Sequence, residues 1–260
     1  MYLKYIKEKH PMVNLDSFDR RMNVVVAGAS GGIGHALVQQ LVSHPSVAQV
    51  HALTRNPDQL LLEQKDKLCV HHVDILDEAS LSEAAKHFRS ITIDLFIVAS
   101  GILHGAGLAP EKSLRALQSD SFIEVMQINA LAPMLVAKHF LPRMTRDGKA
   151  VFSVISARVG SISDNRLGGW YTYRASKAAL NMLLKTLSIE SSRTMPNLIV
   201  AGLHPGTVDT GLSKPYQRNV KPEKLFTPDQ SAAFLLNVVN GLSVEQSGKV
   251  LAWDGQQVDP

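Results

Sequence analysis

Two periods of hydrophobic positions alternate along this chain. Short apolar, β-branched runs occupy residues 23–27, 47–53, 68–73, 94–99, 150–155, 197–203 and 249–253. Runs of that length and composition suit strands buried on both faces of a parallel sheet. Between them, Ala36, Leu37, Val38, Leu41 and Val42 recur at helical spacing, as do apolar residues over 78–88, 121–141, 171–191 and 228–239. Pro45 is predicted to stop the first helix, and Pro133 to bend the long one. No shift in composition interrupts the alternation. The prediction is therefore one α/β domain over residues 22–260, a doubly wound parallel sheet of about seven strands with helices on both faces. Residues 1–21 show no clean period and end in charge. They are read as an N-terminal extension, either disordered or upstream of a start at Met22. Residues 209–226 are long, polar and proline-containing, the pattern of a mobile flap.

Composition narrows the classes of function. The net charge is +4, and half of it sits in residues 1–21, where Lys4, Lys7, Lys9, Arg20 and Arg21 face Glu8, Asp16 and Asp19. The body has no basic stripe and no zinc-ligand spacing, which argues against nucleic acid and against a metal. No apolar run reaches the ~18 residues of a membrane span. A single cysteine, Cys69, excludes a disulfide framework and reads as a small core residue. Cytoplasmic placement is the expectation.

In a doubly wound sheet, ligands bind beyond the carboxyl ends of the strands, so the residues there carry the functional reading. After the first strand comes Gly28-Ala29-Ser30-Gly31-Gly32-Ile33-Gly34, directly before a helix. Glycines there let the backbone approach a pyrophosphate that helix-start N–H groups then meet. The same letters satisfy G-x-S-x-G, the elbow of α/β-hydrolases, with Ser30, Asp164 and His204 in the order of a triad. That elbow normally follows several strands rather than the first, and it leaves Tyr173 and Lys177 without a task.

After the second strand, Arg55 stands where an acid would select NAD. A guanidinium there matches the 2′-phosphate of NADP. Asp74 and Ile75 follow the third strand, Ala99-Ser100-Gly101 the fourth, and Ser156 the fifth. Pro205, Gly206, Val208 and Thr210 follow the sixth, while Asn129 is a polar residue inside the long apolar helix. Tyr173 and Lys177 lie four residues apart in the next helix, hence on one face. An ammonium beside a phenol favours the phenolate, which predicts a phenol pKa lowered from ~10.

With its strand-end motifs in this order, the chain resembles the single-domain short-chain dehydrogenases/reductases, over residues of about 22–253. Tyr-Arg-Ala-Ser-Lys-Ala-Ala-Leu-Asn at 173–181 and Trp-Asp-Gly at 253–255 bring it nearest to the C-factor/sniffer-like carbonyl reductases. The resemblance implies a Rossmann fold binding NADP(H) by preference, with NAD(H) as the alternative. The cofactor residues it implies are Gly28, Ser30, Gly31, Gly32, Ile33, Gly34, Arg55, Asp74, Ile75, Ala99, Ser100, Gly101, Tyr173, Lys177, Pro205, Gly206, Val208 and Thr210. It makes Tyr173 the general acid/base, with Lys177 lowering its pKa and holding the nicotinamide ribose. Ser156 holds the substrate carbonyl, and Asn129 keeps a water in a proton relay. The partner is a small carbonyl or alcohol substrate, and a dimer or tetramer through the helices at 121–141 and 171–191 is expected. Three departures stand out. Ser100 replaces the usual Asn, the glycine loop has no basic residue, and Ser156 lies farther from Tyr173 than is common, with Ser161 and Ser163 nearer. A second reading, kept open by the likeness to C-factor, is a signalling protein that binds the dinucleotide without turnover.

Overall fold

The computed structural model describes residues 12–60 and 66–260, and in them the two sequence periods become alternating layers. The first half contains β1 (Met22–Ala27), α1 (Gly32–Ser43), β2 (Val47–Thr54), β3 (Leu68–His72), α2 (Glu78–Lys86) and β4 (Leu95–Val98). Then come α3 (Ser119–Met126), α4 (Ala132–Phe140), β5 (Ala150–Ile155), α5 (Tyr171–Ser192) and β6 (Leu198–His204). The chain closes with the short β7 (Thr207–Val208) and β8 (Leu225–Phe226), then α6 (Pro228–Gly241) and β9 (Lys249–Ala252). Seven strands pair in parallel in the order β3-β2-β1-β4-β5-β6-β9. The order reverses between β1 and β4, where a doubly wound sheet opens its ligand crevice.

Alternation along each strand divides the core between the two faces. Val24 and Val26 of β1 join Leu37 and Leu41 of α1 and Leu235 and Leu236 of α6. Val25 and Ala27 point the other way, to Phe96, Phe152, Phe140 of α4 and Leu180 and Leu184 of α5. Successive side chains on a strand face opposite sides, so a strand covered on both must be apolar throughout. Among the described residues, no helix is long and apolar enough to cross a membrane.

Four departures from the sequence expectation have physical causes. Residues 1–11 of the predicted extension lie outside the described residues, but residues 12–21 are packed rather than free. Leu15 and Phe18 are buried in the α1/α6 layer. The Asn14 and Ser17 amides donate to Asn237 and Asn240 of α6, and Arg20 pairs with the buried Asp94 at 2.8 Å. Two buried apolar residues in ten carry no period, which hid the segment.

The long helix is indeed interrupted, but the irregularity is a π turn over Gln127–Leu131 rather than a simple proline bend. The Ala132 amide bonds the Gln127 carbonyl five residues back. Pro133 has no N–H and its ring crowds the carbonyl of Asn129, so a widened turn ahead of it relieves the clash. Finally, β7 and β8 pair in parallel and pin the two ends of the predicted flap. Cys69 is only half-buried on the edge strand β3, where its sulfur accepts from Gln49.

Candidate active site

A cavity of about 620 Å³ opens at the carboxyl ends of β1, β4, β5 and β6. Its floor begins at the glycine loop. Gly28 has φ +80°, and a Cβ on it would stand 2.5 Å from Ser100 Oγ and 2.8 Å from Ser100 N. At Gly34 a Cβ would lie 2.2 Å from the Gly28 carbonyl oxygen. Neither position has room for a side chain, so the loop after β1 lies directly against the loop after β4. Helix α1 then starts at Gly32 with no side-chain cap and no acid in its first turn. Its N–H groups and the positive end of its dipole are left for an anion.

The sequence-predicted residues divide into those that line the cavity and those that frame it. Gly31, Gly32, Ile33, Ala99, Ser100, Gly101, Ser156, Tyr173, Lys177, Pro205, Gly206, Val208 and Thr210 line it. Gly28 and Gly34 shape the loop behind. Ser30 accepts a hydrogen bond from Thr54 Oγ1 at 2.9 Å, which ties the loop to the end of β2. Arg55, next to Thr54, is exposed and makes no hydrogen bond or ion pair among the described residues. Asp74 and Ile75 lie beyond β3 and outside the cavity. Asp74 already accepts from the Leu76 amide, and Ile75 packs on the core.

The hydrolase arrangement is absent. Ser30 is engaged with Thr54, Asp164 pairs with Arg158, and His204 Nδ1 is buried without a partner. Among the described residues no cluster of His, Cys, Asp and Glu fits a metal ion.

Tyr173 and Lys177 share one face of α5, with the Lys177 Nζ 5.9 Å from the Tyr173 ring centre. Lys177 is 3% exposed and donates to the Ile155 carbonyl at the end of β5, at 2.9 Å. Burial pushes its pKa down to about 8. Burial likewise pushes the Tyr173 phenol up to about 12. The sequence reading expected the opposite direction for the phenol. Burial accounts for the reversal, because desolvation disfavours the charged phenolate.

Asn129 is fully buried in the π turn, and its amide is spent on protein. Its Oδ1 accepts from the Ile102 amide, while Nδ2 donates to the Ile102 carbonyl and to Ser176 Oγ. Gly101 lies between Asn129 and Lys177: a Cβ there would stand 3.3 Å from Asn129 Oδ1 and 3.6 Å from Lys177 Nζ. Asn129 thus braces the loop after β4 against α5, and its side chain has little left for a water relay.

Ser156 directly follows β5, yet its hydroxyl donates to Asn181 Oδ1 at 2.6 Å. Its hydrogen is therefore given to α5, while the Tyr173 hydroxyl bonds no described residue. Ser161 and Ser163 bond near Pro260 and do not line the cavity.

Several lining residues escaped the sequence reading. Leu212, Tyr216 and Val220, all from the segment over 209–226, form an apolar side with Trp170, which the sequence places among the extra residues before α5 that shape the substrate entrance. That segment folds over the cavity. Gln217 donates to Asp209 and Ser213, and His104 bonds the Gly211 and Leu212 carbonyls. An aromatic residue inside the 209–226 stretch was the available signal. His204 also lines the cavity, held neutral by burial with a pKa of about 4.

Comparison with known proteins agrees with this architecture. The profile of the short chain dehydrogenase family matches residues 22–221. A 1-hydroxy-2-glutathionyl-2-methyl-3-butene dehydrogenase of Rhodococcus sp. (strain AD45) is 29% identical, over 89% of this chain and 96% of that protein. C-signal of Myxococcus xanthus is 34% identical over 50% of this chain and 74% of its own length. Among solved structures, the NADPH-bound carbonyl reductase from chicken fatty liver superposes with a TM-score of 0.81 at 27% identity, over 94% of this chain and 96% of that one.

Proposed function

The chain belongs to the short-chain dehydrogenase family of oxidoreductases, and from that premise we propose that it reduces a small-molecule carbonyl with NADPH, Tyr173 giving the proton. The observation that carries the reading is the single cavity joining the uncapped start of α1 to Tyr173 and Lys177. The residues present fit a dinucleotide: glycines without room for a Cβ, a helix start without an acid, and a free guanidinium at Arg55 for a 2′-phosphate. The NADPH-bound structural relative supports the same choice of cofactor. A bound nicotinamide supplies the hydride.

Each side chain then has a definable part. Tyr173, with a pKa near 12, keeps its proton at every pH the protein meets and presents it in the cavity. As charge builds on the carbonyl oxygen, that proton moves across and leaves a phenolate. Below about pH 8, Lys177 is charged and 5.9 Å from the ring. At an effective dielectric of ~20 this attraction is worth about 3 kcal/mol. It acts only on the phenolate, hence on the transition state rather than the ground state. Lys177 is also the group in reach of a ribose diol at the cavity floor. Asn129 positions α5 against the loop after β4. Ser156 reaches a carbonyl only by leaving Asn181, so its part is secondary. Exposed Ile123, Met182 and Ile189 on α3 and α5 support a homo-oligomer joined through those helices.

The test is oxidation of NADPH against a panel of aldehydes, ketones and quinones, with Tyr173→Phe as the control. The variant should lose at least ~100-fold in kcat while still binding NADPH. Binding of NADPH by the native protein without turnover of any carbonyl would instead favour the signalling reading.

A further inference from the structure

Trp170 is the sole described residue other than glycine with a positive φ, at φ 51° and ψ 44°. It follows Gly168 and Gly169, at φ 63° and 65°, so three successive residues are left-handed just before α5. A side chain in that region crowds the backbone, and such strain persists only where the surroundings impose it. Here they do. The Trp170 amide donates to the Glu111 carbonyl, and the Trp170 carbonyl accepts from the Arg174 amide at 2.9 Å. The buried Glu111 carboxylate in turn accepts from the Thr172 amide at 3.1 Å and from the Thr172 hydroxyl. Arg174 Nε closes the clamp on the Gly169 carbonyl at 3.0 Å.

The conformation sets the direction of the indole. Its ring lies 6.2 Å from that of Tyr173 and 5.0 Å from that of Tyr216, edge to face in both cases. Tyr216 is backed by His104 at 5.8 Å, and His104 also holds the covering segment by two carbonyls. Neither the indole N–H of Trp170 nor the Tyr216 hydroxyl bonds a described residue. A strained residue whose ring stands beside the proton donor, polar edge unspent, has the character of a binding surface rather than a packing unit.

We propose that Trp170 is the specificity-determining residue of this site: clamped in a left-handed conformation by Glu111, it forms with Tyr216 an aromatic wall beside Tyr173 that selects carbonyl substrates bearing a flat aryl group. The proposal rests on the carbonyl-reductase reading above. Glu111 is a positioning residue that acts through Trp170 and Thr172. Aromatic rings prefer offset or edge-on partners, and loss of one such contact together with its buried area corresponds to about tenfold in binding.

Two diketones of matched chemistry, benzil and diacetyl, read the wall directly. The quantity measured is the ratio of their kcat/KM values with NADPH. Trp170→Gly keeps the left-handed backbone without the ring, and Trp170→Asn, which also tolerates that region, guards against a misfolded variant. In both, the benzil-to-diacetyl ratio should fall about tenfold or more, chiefly through KM for benzil. Trp170→Phe should keep the ratio within about threefold of native. A ratio that stays native in both ring-less variants overturns the proposal, as does a native protein that reduces diacetyl but not benzil. A native protein that reduces no carbonyl removes the reductase reading itself, and the proposal with it.

Discussion

Replacing Lys177 with methionine should stabilise the free protein at neutral pH while it disables the site. The ammonium is 3% exposed, and its pKa falls from 10.5 to about 8. That fall corresponds to about 3 kcal/mol against the folded state at pH 7. The sign follows from proton counts. Below pH 8 both folded and unfolded chains hold the proton, and the penalty is complete. Between pH 8 and 10.5 the unfolded chain still holds it while the folded one has released it, so stability rises with pH. Above 10.5 neither holds it and the penalty is gone. Methionine has nearly the length of lysine and no charge, but it leaves the Ile155 carbonyl without its donor. An unsatisfied buried carbonyl costs about 1–2 kcal/mol. The variant should therefore be more stable than native by about 1–2 kcal/mol at pH 7.

The pH dependence is the sharper part, because the lost hydrogen bond drops out of it. From pH 7 to pH 9 the advantage of Lys177→Met should shrink by about 1.4 kcal/mol. Lys149, also lowered to about 8 by burial, is common to both proteins and cancels. Urea unfolding of both proteins at pH 7, 8 and 9, without added dinucleotide, measures it. Parallel stability curves over that range would refute a depressed Lys177 pKa. A variant less stable than native at pH 7 would show that the ammonium is a net structural support. The expected trade of stability against activity is the usual one at a functional site that holds a buried charge.

Three further outcomes follow from the same geometry. Arg55→Ala should weaken NADPH binding at least ~10-fold, with little change for NADH, in a fluorescence titration; equal losses would rule out a 2′-phosphate contact. Ser156→Ala should keep at least about a tenth of kcat/KM, since its hydroxyl is given to Asn181; a loss as deep as that of Tyr173→Phe would mean the hydroxyl turns to the substrate. Gly34→Ala puts a Cβ 2.2 Å from the Gly28 carbonyl, so dinucleotide binding should vanish, as calorimetry on the folded variant would show.

The layered fold was legible because its signals are local and repeated. Val24-Val25-Val26 announces a strand covered on both faces, and the glycines after it announce a tight turn. The seven strands and their flanking helices then follow from alternation alone, with most boundaries within one or two residues of those observed. The misses are places where one contact outweighs a pattern. Leu15 and Phe18 anchor residues 12–21 with no period to reveal them. Pro133 signalled an irregular helix, but only the π turn before it explains how Asn129 comes to brace Ile102 and Ser176. The pairing of β7 with β8 joins residues too far apart in sequence, and too few, to show in any window.

Within the cavity, the placing of Tyr173 and Lys177 on one helix face was legible and their protonation state was not. Spacing on a helix places Tyr173 and Lys177 on one face, but whether the pair lowers or raises the phenol pKa depends on how deeply both are buried, a tertiary property. Desolvation opposes charge on each partner separately. The result separates the two pKa values, with the phenol near 12 and the ammonium near 8. That separation gives the pair a direction. Under the proposed reading, the phenol keeps a proton to give to a carbonyl at neutral pH, while alcohol oxidation would require a phenolate compensated by a neighbouring positive charge. The charged form of Lys177 supplies that compensation below about pH 8, the range in which the phenol is otherwise hardest to ionise. The burial that destabilises Lys177 in the free protein is thus the same feature that places its charge beside the developing phenolate, out of water.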